Sequence, residues 1–174
     1  MAVFFTSDLH FGHENLCRGL RNMSAQESDA LIIKNWNKVI TKRDVVYIVG
    51  DFVMEKPKEV EYYLKQLKGI KYLIGGNHDD RQCCMEFSRL GVPVMGMAKY
   101  KGYIITHAPV VMEEVKNYAG NIHGHIHVPG VMDGLGEYKG YELDKKYYFN
   151  VNVEFNNYTP VPFEFINETF LKYK

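Results

Sequence analysis

The chain has 174 residues, the length of a single domain, and a chain of this size buries roughly 70% of its unfolded surface, which is enough for a hydrophobic core. Hydrophobic residues make up 46% and charged residues 24%, a balance that excludes an intrinsically disordered chain. Because 21 Lys and Arg residues are matched by 21 Asp and Glu residues, the chain lacks the global positive field that would hold nucleic acid or an anionic membrane. We expect one domain over residues 1–174.

The start of the chain gives no sign of export. The segment M-A-V-F-F-T-S-D-L-H has no basic residue ahead of an apolar run, whereas a signal peptide would have one. No apolar run reaches the about 18 to 20 residues of a transmembrane helix. Cys17, Cys83 and Cys84 form neither a disulfide framework nor a zinc-ligand spacing. We therefore expect a cytoplasmic protein with reduced thiols.

The first predicted strand ends in two polar residues. Residues 3–7 are apolar and β-prone, and Asp8 and His10 follow at once. Side chains two apart on an extended chain point to the same side, so Asp8 and His10 can share one ligand. Residues 24–40 then predict a helix, because an S-x-x-E capping box precedes an apolar stripe of helical period.

A second strand and a second helix continue this pattern. Residues 45–49 form an uninterrupted apolar run, which is typical of a strand buried on both faces, and the run ends in Gly50 and Asp51. A helix is predicted over residues 58–67 from apolar residues at i, i+3, i+4 and i+7. Alternating strands and helices predict a largely parallel sheet, and such sheets bind ligands at the carboxyl ends of their strands.

A third strand lies in the stretch 71–80, K-Y-L-I-G-G-N-H-D-D. It starts as a short apolar run, is broken by two glycines, and then presents Asn77, His78 and Asp79 in succession. These residues offer an amide oxygen, an imidazole that titrates near neutral pH and a carboxylate. Asp79 or Asp80 then caps the next helix. A third strand end therefore carries polar chemistry.

In the second half of the chain, the β-prone runs are more closely spaced. Residues 92–97 and 102–106 are β-like and closely spaced, which predicts a hairpin or a second sheet. The second of these runs ends in His107. A short helix then leads to G-N-I-H-G-H-I-H, which contains His125 and His127.

The last part of the chain is rich in aromatic residues. Residues 131–146 combine Gly, Tyr and charged residues and predict an extended hairpin loop or an excursion from the fold. Strands are expected over residues 147–155 and 161–165, before a last short helix. We expect these aromatic side chains in the core rather than on a platform that stacks nucleic acid bases.

Polar residues thus recur at the predicted strand ends. These residues are Asp8 with His10, Asp51, Asn77 with His78, His107, and His125 with His127. All seven histidines of the chain lie in or beside these segments. Imidazole, carboxylate and amide oxygen without thiolate suit Mn, Fe, Ni or Zn in an open site, and not a structural zinc held by cysteines.

Five short motifs occur in order between Asp8 and His127: D-L-H, G-D, G-N-H-D, T-H-A-P and G-H-I-H. Together they resemble the motif set of the calcineurin-like metallophosphoesterases. The resemblance implies an α/β fold, a four-layer α/β/β/α sandwich with two mixed β-sheets, which agrees with the change of texture near residue 92. It also implies a metal-dependent phosphoric ester hydrolase with two divalent transition-metal ions, Mn²⁺ foremost, and Fe, Ni, Zn or Mg as alternatives.

The resemblance further implies a role for each motif residue. The ligands of the first metal ion would be Asp8, His10 and His127. The ligands of the second ion would be Asn77, His107 and His125. Asp51 would be a ligand of both ions. His78 would be the general acid, and Asp79 would orient it. The implied reaction is hydrolysis of a phosphodiester or phosphomonoester by in-line attack of a hydroxide that bridges the two ions.

Three residues near the motifs are weaker candidates. His13 would contact a substrate phosphate or cap the first helix, and Arg81 would clamp a phosphate or remain a solvated helix residue. His123 would support the neighbouring motif rather than bind metal. Loops over residues 11–21 and 131–146 are expected to set the choice of substrate.

Each motif residue alone has a simpler explanation. Asp8 would cap a helix, Asp51 would stabilise a turn, and His125 and His127 would face solvent. The occurrence of the whole set favours a metal centre with a small phosphate-ester substrate. Two rival functions remain open, a non-catalytic interaction scaffold on the same fold and a nuclease. A scaffold tends to lose ligands that this chain keeps, and the neutral charge weighs lightly against a nuclease.

Overall fold

The computed structural model describes residues 1–54, 58–127 and 143–173, and the backbone of residues 131–132 and 138–139. The strands in these ranges are β1 Val3–Thr6, β2 Val45–Ile48, β3 Ile70–Ile74, β4 Val94–Met95, β5 Ala98–Tyr100, β6 Tyr103–Ile105, β7 Asn121–His123, β8 Val131–Met132, β9 Tyr138–Lys139, β10 Tyr148–Asn150 and β11 Val161–Pro162. The α-helices are α1 Glu14–Leu16, α2 Ala25–Val39, α3 Lys58–Gln66, α4 Arg81–Arg89, α5 Met112–Val115 and α6 Phe163–Tyr173. A π-helical turn, Cys17–Arg21, and a 3-10 turn, Val153–Phe155, complete the helical segments.

The first sheet has the strand order β11-β1-β2-β3-β4. Strands β1 to β4 run parallel, and β11 runs antiparallel to β1, so the sheet is mixed. Thr6 lies opposite Ile48, and Ile48 lies opposite Leu73. Because the three parallel strands end at the same level, the segments that follow them meet at one edge of the sheet.

The second sheet has the order β10-β7-β6-β5, with β5 and β6 antiparallel and the other pairs parallel. Ile105 of β6 lies opposite Ile122 of β7, so the segments after these two strands also meet. The strands β8 and β9 form a separate antiparallel pair. The predicted α/β/β/α sandwich with two mixed sheets is confirmed.

Neighbouring residues of β1 enter different cores. Phe4 packs with Trp36 of α2 in a cluster between the helices and the first sheet, and Phe5 packs with Ile105 in a cluster between the two sheets. Successive side chains of a strand point to opposite faces, so one strand holds both layers together. Burial of each phenyl ring stabilises the fold by about 1.5–3 kcal/mol.

The helix predicted over residues 24–40 is confirmed as α2, with the capping box between Ser24 and Glu27. The helix predicted over residues 58–67 is α3, and Asp80 rather than Asp79 caps α4. Of the helices in the described part of the chain, none is long and apolar enough to cross a membrane.

The hairpin or second sheet predicted from residues 92–97 and 102–106 forms only in part: β6 belongs to the second sheet, whereas residues 94–95 do not. Strand β4 extends the first sheet beside β3, and the hairpin forms between β5 and β6. Lys101 and Gly102 connect this hairpin with φ of 46° and 88°, and positive φ at both positions is the geometry that matches the twist of a two-residue hairpin.

The C-terminal strands are shorter than predicted. Of residues 147–155, only β10 is a strand, and the 3-10 turn follows it; of residues 161–165, only β11 is a strand. Pro162 has no N–H for a strand ladder, and α6 begins at the next residue and runs for 11 residues. Residues 11–21, expected as a loop, contain α1 and the π-helical turn. The hairpin expected within 131–146 is confirmed for β8 and β9, whereas residues 133–137 and 140–142 lie outside the described residues.

Candidate metal centre

The polar strand ends adopt an unusual backbone conformation. Asp8, His10, Asp51 and His125 all have positive φ, at 56°, 46°, 55° and 68°. Such conformations cost roughly 1–3 kcal/mol for a residue with a side chain and persist only where the surroundings hold them. Here, the N–H of Asp8 donates to the Gly50 carbonyl and that of His10 to the Asp51 carbonyl, both at 3.0 Å. The fold therefore bends these segments so that their side chains turn inward.

The first group consists of Asp8, His10 and His127. The Nε2 atoms of His10 and His127 lie 3.3 Å apart, and Nε2 of His127 lies 3.4 Å from Oδ1 of Asp8. Asp8 and His10 are buried, and His127 is half-buried. The backbone N–H of His125 donates to the Asp8 carboxylate at 2.9 Å and fixes its position.

The second group consists of Asn77, His107 and His125. Oδ1 of Asn77 lies 2.9 Å from Nε2 of His107 and 2.9 Å from Nδ1 of His125. Nδ1 of His107 faces the Val49 carbonyl at 2.8 Å. A carbonyl only accepts, so Nδ1 carries the proton and Nε2 of His107 faces the group.

Asp51 lies between the two groups. Its Oδ2 is 3.6 Å from Nε2 of His10 and 3.3 Å from Nε2 of His107, and its Oδ1 accepts the backbone N–H of His78 at 2.9 Å. The structure thus brings together all seven residues for which the sequence predicts metal ligation.

Two glycines make room for these carboxylates. A Cβ atom on Gly76 would meet the backbone and carboxylate of Asp51, and one on Gly124 would meet the side chains of Ser7 and Asp8. Any larger residue at either position would push a carboxylate out of place. This close approach explains the glycines of the G-N-H-D and G-H-I-H motifs.

Charge is concentrated at the centre. Burial raises the pKa of Asp51, but the hydrogen bond and charge of His107 more than offset it and hold this pKa at about 2. Burial lowers the pKa of His127, yet Asp8 and Glu154 raise it to about 9, while burial lowers the pKa of His10 to about 4. Asp8 and Asp51 are therefore ionised at neutral pH, and a proton on His127 offsets part of their negative charge unless a cation takes its place.

The donor set suits a divalent cation. Two sets of three side chains place their ligand atoms within 4.8 Å of one another. One set is Asp8, His10 and His127, and the other is Asp8, Asp51 and His107. Carboxylate and imidazole donors in this arrangement fit hard to borderline divalent metals such as Mn²⁺, Fe²⁺ or Zn²⁺. The residues present thus fit the metal ions that the resemblance implies.

His78 and Asp79 lie beside the centre and differ in exposure. The His78 side chain is exposed, and its ring centroid lies 5.3 Å from that of His10. Asp79 is buried, and its carboxylate accepts the N–H groups of Asp51 and Gly76 at 2.8 and 2.9 Å. No hydrogen bond joins the Asp79 carboxylate to the His78 ring in the part of the chain that the structure describes. Orientation of His78 by Asp79 stays a prediction, whereas Asp79 visibly holds the backbone that carries Asp51.

The weaker candidates lie at the edge of the centre or away from it. Nδ1 of His13 accepts the N–H of Leu16 at 3.3 Å, so His13 caps α1. His123 is buried, with Nδ1 facing the Gly124 carbonyl at 2.9 Å. Arg81 is exposed at the start of α4, and none of the described contacts joins it to the seven candidate ligands. Substrate contact by His13 and Arg81 stays a prediction.

Two residues that the sequence did not single out reach the centre. Oε2 of Glu154 lies 2.9 Å from Nδ1 of His127, and the buried Arg21 guanidinium contacts Glu154 at 2.6 Å. Glu154 stands between Val153 and Phe155 in a run predicted as a strand, where a lone carboxylate among apolar residues is the available signal. Arg21 gave no signal, because it lies 133 residues away along the chain.

The chain resembles known proteins along most of its length. The calcineurin-like phosphoesterase model matches residues 1–170. An uncharacterized protein of Methanocaldococcus jannaschii is 31% identical over 170 residues, which cover 94% of this chain and 88% of that protein. The glycerophosphodiester phosphodiesterase GpdQ of Enterobacter lignolyticus is 31% identical over 101 residues, which cover 55% of this chain and 36% of that protein.

A solved structure shares the fold. The crystal structure of a protein of unknown function from Aquifex aeolicus superposes with a TM-score of 0.72 at 24% identity, and the match covers 96% of this chain and 98% of that one. At this identity the likeness shows the fold alone. The family model, by contrast, spans nearly all of the sequence. The chain therefore belongs to the calcineurin-like phosphoesterase family.

Proposed function

We propose that the protein is a dinuclear metal-dependent phosphoesterase that hydrolyses a phosphodiester or a phosphomonoester. The observation that carries this proposal is the position of the Asp51 carboxylate. A single oxygen, Oδ2, lies within 3.6 Å of nitrogens from both groups, on His10 and on His107. A ligand shared between two cations needs such a position, whereas a centre for one cation does not.

The side chains divide the work of binding. The ligands of one ion would be Asp8, His10 and His127, those of the other Asn77, His107 and His125, and the shared ligand Asp51. When bound, two divalent ions lower the pKa of a water molecule and neutralise charge on the phosphoryl oxygens. The positive φ values and the buried hydrogen bonds preorganise these ligands before any ion arrives.

His78 suits the role of general acid. Its side chain is exposed beside the buried His10, so a substrate from solvent can reach it. A ring N–H of protonated His78 would donate to the ester oxygen as it leaves, a contribution of about 10² to 10⁴ in rate. The backbone N–H of His78 is held by the shared ligand Asp51, which sets the distance between acid and ions.

A phosphodiester is the first substrate to test. The similarity over 101 residues to a glycerophosphodiester phosphodiesterase supports this class. The balance of 21 basic and 21 acidic residues supports a small ester over a long polyanion. A phosphomonoester is the alternative.

The proposal is tested by hydrolysis of chromogenic phosphate esters. Protein stripped with chelator and then supplied with Mn²⁺ is expected to hydrolyse a chromogenic phosphodiester or monoester, and the stripped protein is not. Release of the coloured phenolate gives kcat/KM for each ester. Activity that survives chelation undiminished would contradict the proposal.

Metal binding is expected to release protons. The pKa of His127 is raised to about 9 by Asp8 and Glu154, against the effect of burial, so this ring is protonated at neutral pH. A metal ligand has to be unprotonated, so protons compete with the metal below about pH 9. Affinity for Mn²⁺ should therefore rise with pH and level off near that value.

Calorimetry of Mn²⁺ binding in two buffers of different ionisation enthalpy measures the protons released. We expect more released at about pH 7 than at about pH 10, since His127 is already neutral at the higher value. Equal release at both values would show that His127 loses no proton when Mn²⁺ binds.

A further inference from the structure

A carboxylate outside the ligand set contacts the His127 ring and determines which ring nitrogen carries the proton. Oε2 of Glu154 lies 2.9 Å from Nδ1 of His127. An ionised carboxylate only accepts, so the proton at this contact belongs to Nδ1. Nε2 of the neutral ring then carries a lone pair, and it points at Oδ1 of Asp8, 3.4 Å away. Glu154 thus selects the tautomer in which His127 can act as a ligand.

Arg21 holds this carboxylate in place. Its Nε and Nη2 both donate to Oε1 of Glu154, at 2.7 and 2.6 Å, which leaves Oε2 for His127. The same guanidinium donates to the backbone carbonyls of Leu9 and Asp8, at 3.0 and 2.7 Å. One buried cation therefore fixes both the partner of His127 and the backbone that carries Asp8.

The backbone near Glu154 is tied to the segment that carries His127. Oδ1 of Asn152 accepts the N–H of Glu154 at 2.9 Å, and Nδ2 of Asn152 donates to the Ile126 carbonyl at 3.3 Å. Asn150 donates to the same carbonyl at 2.9 Å. The 3-10 turn and the histidine segment therefore keep a fixed separation.

His10, the other histidine of this group, has no such support. Its Nδ1 is buried and has no hydrogen-bond partner among the described residues. Among the described residues, no hydrogen bond from outside the centre fixes the tautomer of His10. In this group, support by a carboxylate outside the centre is seen only for His127 among the described residues.

We propose that Glu154 and Arg21 are positioning residues that set the affinity of the first metal position by fixing the tautomer and direction of His127. The inference rests on the proposed function only in requiring that divalent cations bind at the centre. The competing interpretation is a buried ion pair that stabilises the fold and has no effect on the ligand.

Glu154→Gln separates the two interpretations. Because Arg21 donates twice to Oε1, the amide oxygen has to stay on Arg21, and the amide NH₂ then faces Nδ1 of His127. The NH₂ group only donates, so Nδ1 becomes the acceptor, and the proton of the neutral ring moves to Nε2, toward the metal position. A near-isosteric change thus reverses the tautomer.

Mn²⁺ titration by calorimetry is the first measurement. In Glu154→Gln, the affinity of one of the two sites should fall about 10- to 100-fold, while the other keeps its wild-type value. Glu164→Gln, the same change at an exposed residue of α6, should leave both sites unaltered. Thermal unfolding of each variant establishes that it is folded.

Proton NMR of ¹⁵N-labelled protein without metal, at about pH 10 where the His127 ring is neutral, is the second measurement. The Nδ1 proton of His127 should give a downfield, slowly exchanging signal in the wild type, and Glu154→Gln should lose it. Glu154→Asp keeps a carboxylate, which can accept a hydrogen bond but cannot donate one. This variant should therefore retain the Nδ1 signal and bind the first ion more tightly than Glu154→Gln does. An ion pair with a purely structural role predicts the same Mn²⁺ affinity for both variants and a difference only in their thermal stability.

If Glu154→Gln bound Mn²⁺ at both sites with wild-type affinity, or kept the Nδ1 signal unchanged, the proposal would be overturned. A wild-type protein that binds no Mn²⁺ would instead overturn the proposed function, and the NMR signal would still decide whether Glu154 fixes His127. Failure of the one is therefore distinguishable from failure of the other.

Discussion

Asp51→Asn is expected to lower kcat/KM for a chromogenic phosphate ester by about 10³-fold at saturating Mn²⁺, because a shared metal ligand contributes about 4 kcal/mol of transition-state stabilisation. Oδ1 of Asp51 accepts the N–H of His78, so the amide oxygen of Asn has to occupy that position. Its NH₂ group then points at Nε2 of His10 and His107, where Oδ2 of Asp51 lies. A cation ligand becomes a hydrogen-bond donor.

Asp144→Asn is the matched control for this variant. Asp144 is exposed, and its Oδ1 accepts the N–H of Lys146, a bond that Asn can also make. We expect wild-type kcat/KM from it. Metal content measured on both variants should show a loss for Asp51→Asn alone, and full activity of Asp51→Asn would contradict the assignment of Asp51.

Parallel strand order is the reason why so much of the centre was predictable. Apolar runs of four or five residues identify β1, β2 and β3, and their shared register brings Asp8, Asp51 and Asn77 to one edge whatever the details of the loops. The second sheet was harder to place. Residues 94–95 lie in a β-prone run, whereas residues 98–100, A-K-Y, include Ala and Lys, which strands disfavour. The positive φ of Lys101 and Gly102 nevertheless places the hairpin between β5 and β6.

The residues that hold the candidate ligands in place were less predictable from the sequence than the ligands themselves. His125 and His127 lie in one short motif, so spacing along the chain reveals them. Tertiary packing alone brings Arg21, Glu154 and His127 together, since the first two are 133 positions apart in the chain and the last two are 27 positions apart. A sequence pattern reports residues that are close in the chain, and a carboxylate in a 3-10 turn leaves no periodic trace. Asp79 shows the same limit, since its backbone partners carry no side-chain signal.

His78→Ala and Asn77→Ala are expected to fail in different ways although they are neighbours. His78 is exposed and its side chain has no metal-facing hydrogen bond in the described structure, so His78→Ala should keep both Mn²⁺ ions and lose about 10² to 10⁴ in kcat. Oδ1 of Asn77 lies 2.9 Å from nitrogens of both His107 and His125, so Asn77→Ala should lose metal occupancy first. Metal content and single-turnover rates on the same preparations separate the two effects.

The leaving group gives a sharper test of His78. A nitrophenolate departs without a proton, whereas an alkoxide needs one, so His78→Ala should slow an alkyl phosphate ester far more than a nitrophenyl ester. Asn77→Ala should slow both esters alike, because it acts through the ions. If His78→Ala slowed both equally while keeping its metal, His78 would contribute to substrate binding rather than proton transfer. If it had also lost the metal, the roles assigned to Asn77 and His78 would have to be exchanged.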